Sequence, residues 1–200
     1  MITPNFFKEF IIKFIEKPTW SKIHQALCEN KFMTNDYFPC NFNKIKGDVF
    51  EYITKYILLK QYKYVYLYNE ASLKLKNKLN LPSNDRGIDL IISNDYIKFI
   101  GVQCKWRSNE NYSIEKKYIT EFLHEINKSK LDYGIFFTNV KNITPYFDNI
   151  NNLKWYNYDK LIKDVDKLLI ENIKENLSKD YKPKNNDKIN ELTELRYYQK

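Results

Sequence analysis

Glycine is scarce in this chain. There are four in 200 residues, Gly47, Gly87, Gly101 and Gly134. None belongs to a glycine-rich phosphate loop of the kind that ends in Gly-Lys-Ser or Gly-Lys-Thr, so no ATPase activity is expected of these residues. The three cysteines, Cys28, Cys40 and Cys104, are odd in number and far apart. That spacing excludes a disulfide framework or zinc knuckle, and the simplest reading is reduced thiols in a cytoplasmic, non-secreted protein. His24 and His124 stand singly on expected helices, which argues against a zinc site. No apolar run approaches the roughly 20 residues of a membrane span. The start, MITPNFFKEFIIKFIEKP, is amphipathic and lacks a small-residue cleavage site, so it reads as a helix of the mature protein and no membrane partner is expected. A small-molecule enzyme ranks low, because no nucleophile triad is evident.

Apolar residues make up 43% of the sequence, enough for the core of one ordinary domain plus appendages. The net charge of +8 and pI near 9.1 suit a polyanionic partner, although lysine excess equally describes a solvated surface. Helical spacing is expected in residues 4–30. A turn-rich stretch, MTNDYFPCNFN, then leads into KGDVFEYITKYILLKQY, where Asp48 and Glu51 make a capping box at a helix start. KYVYLYNEASL reads as a strand whose tyrosines, Tyr62, Tyr64, Tyr66 and Tyr68, share one packing face. KLKNKLNLPSND reads as a polar excursion. SIEKKYITEFLHEINKSK is an expected helix and YGIFFTN a strand buried on both faces. LKWYNYDKLIKDVDKLLIENIKENL offers a final strand and helix. The expected fold is α/β, a mixed sheet flanked by helices.

RGIDLIISNDYIKFIGVQCKW, residues 86–106, departs from that ordinary pattern. Side chains alternate along a strand. Phe99, Gly101, Gln103 and Lys105 should therefore share one face, and Ile100, Val102, Cys104 and Trp106 the other. A lysine and an amide beside a glycine imply an emptier side, toward which Asp89 is expected to point. Asp89 falls across from Gln103 if the connecting loop centres near Tyr96, give or take one bulge. Phosphodiester hydrolysis needs a hard cation held by oxygen ligands. Asp89, Gln103 and the Cys104 backbone carbonyl could supply them, with Lys105 close enough to hold the attacking water or the developing charge. A partly buried Asp89–Lys105 ion pair is the competing reading of the same spacing.

KGDVFE, RGIDLI, VQCKW and YGIFFTN, in this order, resemble the Mrr-like branch of the PD-(D/E)xK, or restriction-endonuclease-like, superfamily. The likeness covers about residues 44–160 and is closest to nuclease domains fused ahead of superfamily 2 helicases. It implies a restriction-endonuclease-like sheet with flanking helices and Mg2+-dependent DNA cleavage, with Mn2+ as a substitute. It also implies roles. Asp89 takes the place of the metal-binding acid, Gln103 that of the usual second acid, Lys105 that of the motif lysine, and Glu51 that of the supplementary helix acid. Two departures stand out. Ile88 occupies the position where a proline ordinarily precedes the acid, and Gln103 removes one negative charge. Glu51 keeps its alternative role in the capping box.

DNA is the expected partner, with Lys46, Arg86, Trp106 and Arg107 placed to contact phosphates or bases. Trp106 fits the core equally well. Residues 1–43 read as a helical extension, 44–177 as the nuclease domain, and 178–200 as a linker and the start of a helicase region. ELRYYQK there resembles the LRxYQ segment of superfamily 2 helicases. Whether the domain pairs with itself stays open. The alternative to an enzyme is a catalytically silent module that grips DNA for a helicase.

Overall fold

The computed structural model describes residues 4–12, 19–31, 41–142 and 150–165. The linker and helicase-like segment at 178–200 lie outside them. Elements follow in the order α1 (Pro4–Ile12), α2 (Trp20–Cys28), α3 (Phe42–Leu58), β1 (Tyr64–Leu67), α4 (Leu73–Lys78), β2 (Leu90–Ser93), β3 (Ile100–Lys105), α5 (Lys116–Lys128), β4 (Tyr133–Thr138), β5 (Leu153–Tyr156) and α6 (Tyr158–Asp164). The strands form one mixed sheet in the order β1-β2-β3-β4-β5. β1, β2 and β3 pair antiparallel, and β3, β4 and β5 parallel. No helix among the described residues is long and apolar enough to cross a membrane.

Alternation divides the core between the two faces of the sheet. Ile100 and Val102 of β3, with Ile135 and Phe137 of β4, join the side covered by α1, α2 and α3. Phe99 and Phe136 join the opposite side, where α5 supplies Ile119, Phe122 and Ile126 at helical spacing. β4 is buried on both faces, as its unbroken apolar run requires.

Three expectations are corrected. First, α3 does not start at Asp48. Its N-cap is Asn41, whose side chain accepts from the backbone N–H groups of Asn43 and Lys44 at 3.1 and 3.4 Å. Gly47, Asp48 and Glu51 are therefore mid-helix, and the capping-box role of Glu51 falls away. Second, the polar excursion contains α4, capped by the Ser72 hydroxyl accepting from Leu75 N at 3.2 Å. Third, the four tyrosines do not share a face. Tyr62 packs with the α3-side core, and Tyr66 and Tyr68 pack with the α5-side core.

Gly101 does not leave an empty side either. A Cβ there would lie 2.7 Å from Ile126 Cδ1 and 2.9 Å from Leu131 Cδ1. Its neighbour across the β3–β4 ladder is Gly134, where a Cβ would meet the Phe122 ring at 2.7 and 2.8 Å. The paired glycines let α5 settle close on the sheet, and α5 fills the space.

Candidate active site

The β2–β3 ladder pairs Leu90 with Val102, Ile91 with Gly101 and Ile92 with Ile100. The midpoint of this register is Tyr96, the expected centre of the loop, and Tyr96 adopts a left-handed φ of 63°. Asp95 closes the turn, accepting from Ile97 N and Lys98 N at 2.9 Å each. Beyond Leu90 the ladder slips. Asp89 N donates to Val102 O at 2.8 Å, one residue off the register, while Asp89 O still accepts regularly from Tyr68 N. This bulge-like offset re-aims the side chain. Ile88 turns into the α5-side core, and the Asp89 carboxylate accepts from Cys104 N at 2.5 Å.

Asp89 lines a cavity of about 520 Å3 together with Asp48 and Glu51 of α3 and Asp85 of the preceding loop. Sequence reasoning did not include Asp48 or Asp85. The available signals were the three-residue spacing of Asp48 and Glu51, which shares a helix face, and the turn sequence Asp-Arg-Gly. In that turn Asp85 Oδ1 accepts from Gly87 N at 2.7 Å and from Ile88 N at 3.0 Å. Gly87 has a φ of +96°, a left-handed conformation that favours glycine.

Four carboxylates on one cavity create an electrostatic problem. Burial, then the charges of Asp89, Asp48 and Asp85, raises the Glu51 carboxyl far above its ordinary range. Burial and Asp85 also push Asp89 upward, opposed by the Cys104 N–H and by Lys105. Burial, then Asp89 and Glu51, raises the Cys104 thiol well above its usual value, so this cysteine is inert as a nucleophile.

Gln103 and Lys105 do not line this cavity. Gln103 is buried, and its Oε1 has no hydrogen-bond partner. The Lys105 ammonium lies 3.7 Å from the centroid of the Tyr118 ring. Its pKa is lowered by burial and by Arg107, with Tyr118, Asp89 and Glu115 pulling the other way. No ion pair joins Asp89 to Lys105 among the described residues. Because the N–H and C=O of one strand residue point to the same side, the Cys104 carbonyl faces the edge where Asp89 sits. Thus Asp89 and Glu51 share the cavity, the Cys104 N–H meets the Asp89 carboxylate, and Gln103 and Lys105 stand on β3 outside the lining.

The residues placed for DNA contact differ in fate. Lys46 is buried, with its ammonium 5.4 Å from the Trp106 ring centroid, so that charge faces protein. Trp106 packs against the α3-side core with its indole N–H buried. Arg86 is exposed. Arg107 is half-buried, 3.7 Å from Glu115. His24 does not stand alone. Its Nε2 lies 3.3 Å from the Arg107 carbonyl and 3.7 Å from Glu110, and Trp20 Nε1 donates to the same Glu110 oxygen at 2.7 Å. α2 thus holds the loop that leaves β3.

Among the described residues no three His, Cys, Asp or Glu side chains are already gathered as a metal site. The donor set nevertheless fits a hard cation. Asp89 and Glu51 bring two carboxylates to one cavity, and Gln103 Oε1 is a buried oxygen acceptor with nothing donating to it.

A protein-family profile described as "Restriction endonuclease" matches residues 55–188, more than half of the chain. The search of curated proteins finds no match.

Proposed function

Since the chain belongs to the restriction endonuclease family, we propose that it is a divalent-metal-dependent DNA endonuclease domain, served by Mg2+ or Mn2+, that hydrolyses phosphodiester bonds at the Asp89–Glu51 cavity. The observation that carries this reading is the crowding of Asp89, Glu51, Asp48 and Asp85 around one cavity, where burial and neighbouring carboxylates push the Glu51 and Asp89 carboxyls upward despite Lys44 and Lys76 on the same lining. A fold concentrates like charges in this way when a cation belongs there.

Asp89 and Glu51 would hold the ion, with the Gln103 amide oxygen and the Cys104 carbonyl as further oxygen donors. When bound, a divalent cation supplies neutralisation of the phosphoryl oxygens and a water of lowered pKa. Asp89 is oriented for this role by the Cys104 N–H. Lys105 provides the cation nearest the site on β3, able to stabilise charge that develops on the phosphate. Its half-buried stem keeps it beside the strand end, and Tyr118 holds the ammonium while no substrate is present. Exposed Arg86 and half-buried Arg107 contribute phosphate contacts. Within the same proposal the domain works inside the cell beside a helicase, in keeping with the sequence of residues 178–200.

Incubation of linear and supercoiled DNA with Mg2+ or Mn2+ tests the assignment. Cleavage by the wild type that is lost in Asp89→Ala and Lys105→Ala is the expected result. DNA binding without cleavage in either metal would instead identify a silent module.

A further inference from the structure

Asp85, Ser83 and Asn84 on the cavity lining are exposed, so the site is open for a duplex to lie across it. We infer that the loop between β3 and α5, residues 106–115, is an arm that seats this duplex, with Tyr112 entering a groove against the base edges. The inference rests on the nuclease reading above and names a contact that holds its substrate. The loop leaves the sheet at the catalytic edge. β3 ends at Lys105, one residue past Cys104, whose N–H meets the Asp89 carboxylate.

The arm is exposed in its side chains and pinned in its backbone. Ser108, Asn109, Asn111, Tyr112 and Ser113 are exposed, Tyr112 to 63%. Fully buried Asn139 satisfies both backbone groups of Arg107, accepting from its N–H at 2.8 Å and donating to its carbonyl at 2.7 Å. Lys141 N donates to the Glu110 carbonyl at 2.8 Å, and Ser113 bridges Asn142 in parallel. From α2, Trp20 Nε1 donates to the Glu110 carboxylate at 2.7 Å and Cys28 Sγ to the Ser108 carbonyl at 3.6 Å. Within the turn, Asn109 accepts from Asn111 N through Oδ1 at 3.0 Å and from Tyr112 N through its carbonyl at 3.2 Å. Backbone freedom has been given up here, yet the Tyr112 ring joins neither core. Rigid placement of exposed polar and aromatic groups is what a recognition surface requires.

The charges agree with that role. The two acids of the arm are engaged within the protein. Glu110 meets Trp20 and His24, and Glu115 lies 2.9 Å from Lys117 and 3.7 Å from Arg107. Exposed Lys116 and Lys141 flank the arm. Amides, hydroxyls and one ring fit between the phosphate walls of a groove and offer donors and acceptors to the bases. Trp20, His24 and Cys28 all precede the family segment at 55–188, so this brace is a feature of the chain beyond the family profile.

Fluorescence anisotropy of the full chain on a labelled duplex in Ca2+ tests the inference. Tyr112→Ala should weaken binding about fivefold or more. The slope of log affinity against log salt should stay that of the wild type, since no phosphate contact is lost. Its Tm should match the wild type's, because the ring lies outside both cores. Wild-type affinity in Tyr112→Ala, or a loss accompanied by a lowered salt slope, overturns the inference, as does a wild type that binds no duplex. If Mg2+ and Mn2+ support no cleavage, the nuclease reading fails, and the affinity comparison still decides whether the arm seats DNA.

Discussion

The two halves of β3 differ in what their neighbours demand of them. At Ile100, Gly101 and Val102 every space is filled. Val102 is fully buried, and Gly101 is pressed by Ile126 and Leu131. At Gln103, Cys104 and Lys105 the same strand carries a buried amide oxygen without a partner and donates through Cys104 N to Asp89, one of the carboxylates crowded on the cavity. The first half obeys the rules of a stable core; the second violates them within a few residues. Local violations of that kind mark places where stability yields to function.

The sharpest way to break this contrast is Asp89→Asn. Cleavage should fall by about a hundredfold or more, while the metal-free protein should gain thermal stability at pH 8, because a buried charge is removed. A loss of both activity and stability would place Asp89 with the structural half. Next in size is Gly134→Ala. The new methyl meets the rigid Phe122 ring, so urea unfolding should show a loss of about 1–3 kcal/mol. Gly101→Ala should cost less, because it meets the ends of flexible side chains.

The pH profile gives a smaller effect with a definite sign. The folded protein holds protons on Glu51 and Asp89 that the unfolded chain releases at ordinary carboxylate values. Stability of the metal-free protein therefore falls as pH rises from those values, 4.5 and 3.8, through about 9 and about 7 respectively. Calorimetry should show Mg2+ raising Tm more at pH 8 than at pH 5. Glu51→Gln should flatten the metal-free profile, with about 2–4 °C gained per kcal/mol. Smallest of all, Arg86→Ala should weaken DNA binding modestly and lower the salt slope by about one.

The packed half of β3 was legible because it is governed by period. Alternation sorted Ile100 and Val102 from Phe99 and Gly101, and the turn chemistry of Ser93–Lys98 centred the loop on Tyr96. The continuous apolar run of β4 and the spacing of Ile119, Phe122 and Ile126 were equally plain. The other half depends on contacts remote in sequence. Nothing local announces the one-residue slip that turns Asp89 toward α3. Asn41 caps α3 from within a stretch that reads as turn, so Asp48 looked like a start, and Glu51 like its partner. Lys46 has a surface composition, but the helix's phase buries it beneath Trp106. α4 went unseen because Lys74, Lys76 and Lys78 disguise a short helix whose apolar contact is mainly Leu75.

α3 runs unbroken from Phe42 to Leu58, whereas the recognised family segment opens at residue 55. A chimera or truncation cut at that homology boundary would sever the rod near its last turn and discard Asp48 and Glu51 with it. The transplantable unit of this protein therefore begins upstream of Asn41, and a minimal fragment chosen by sequence likeness alone would inherit the sheet without half of its acidic pocket.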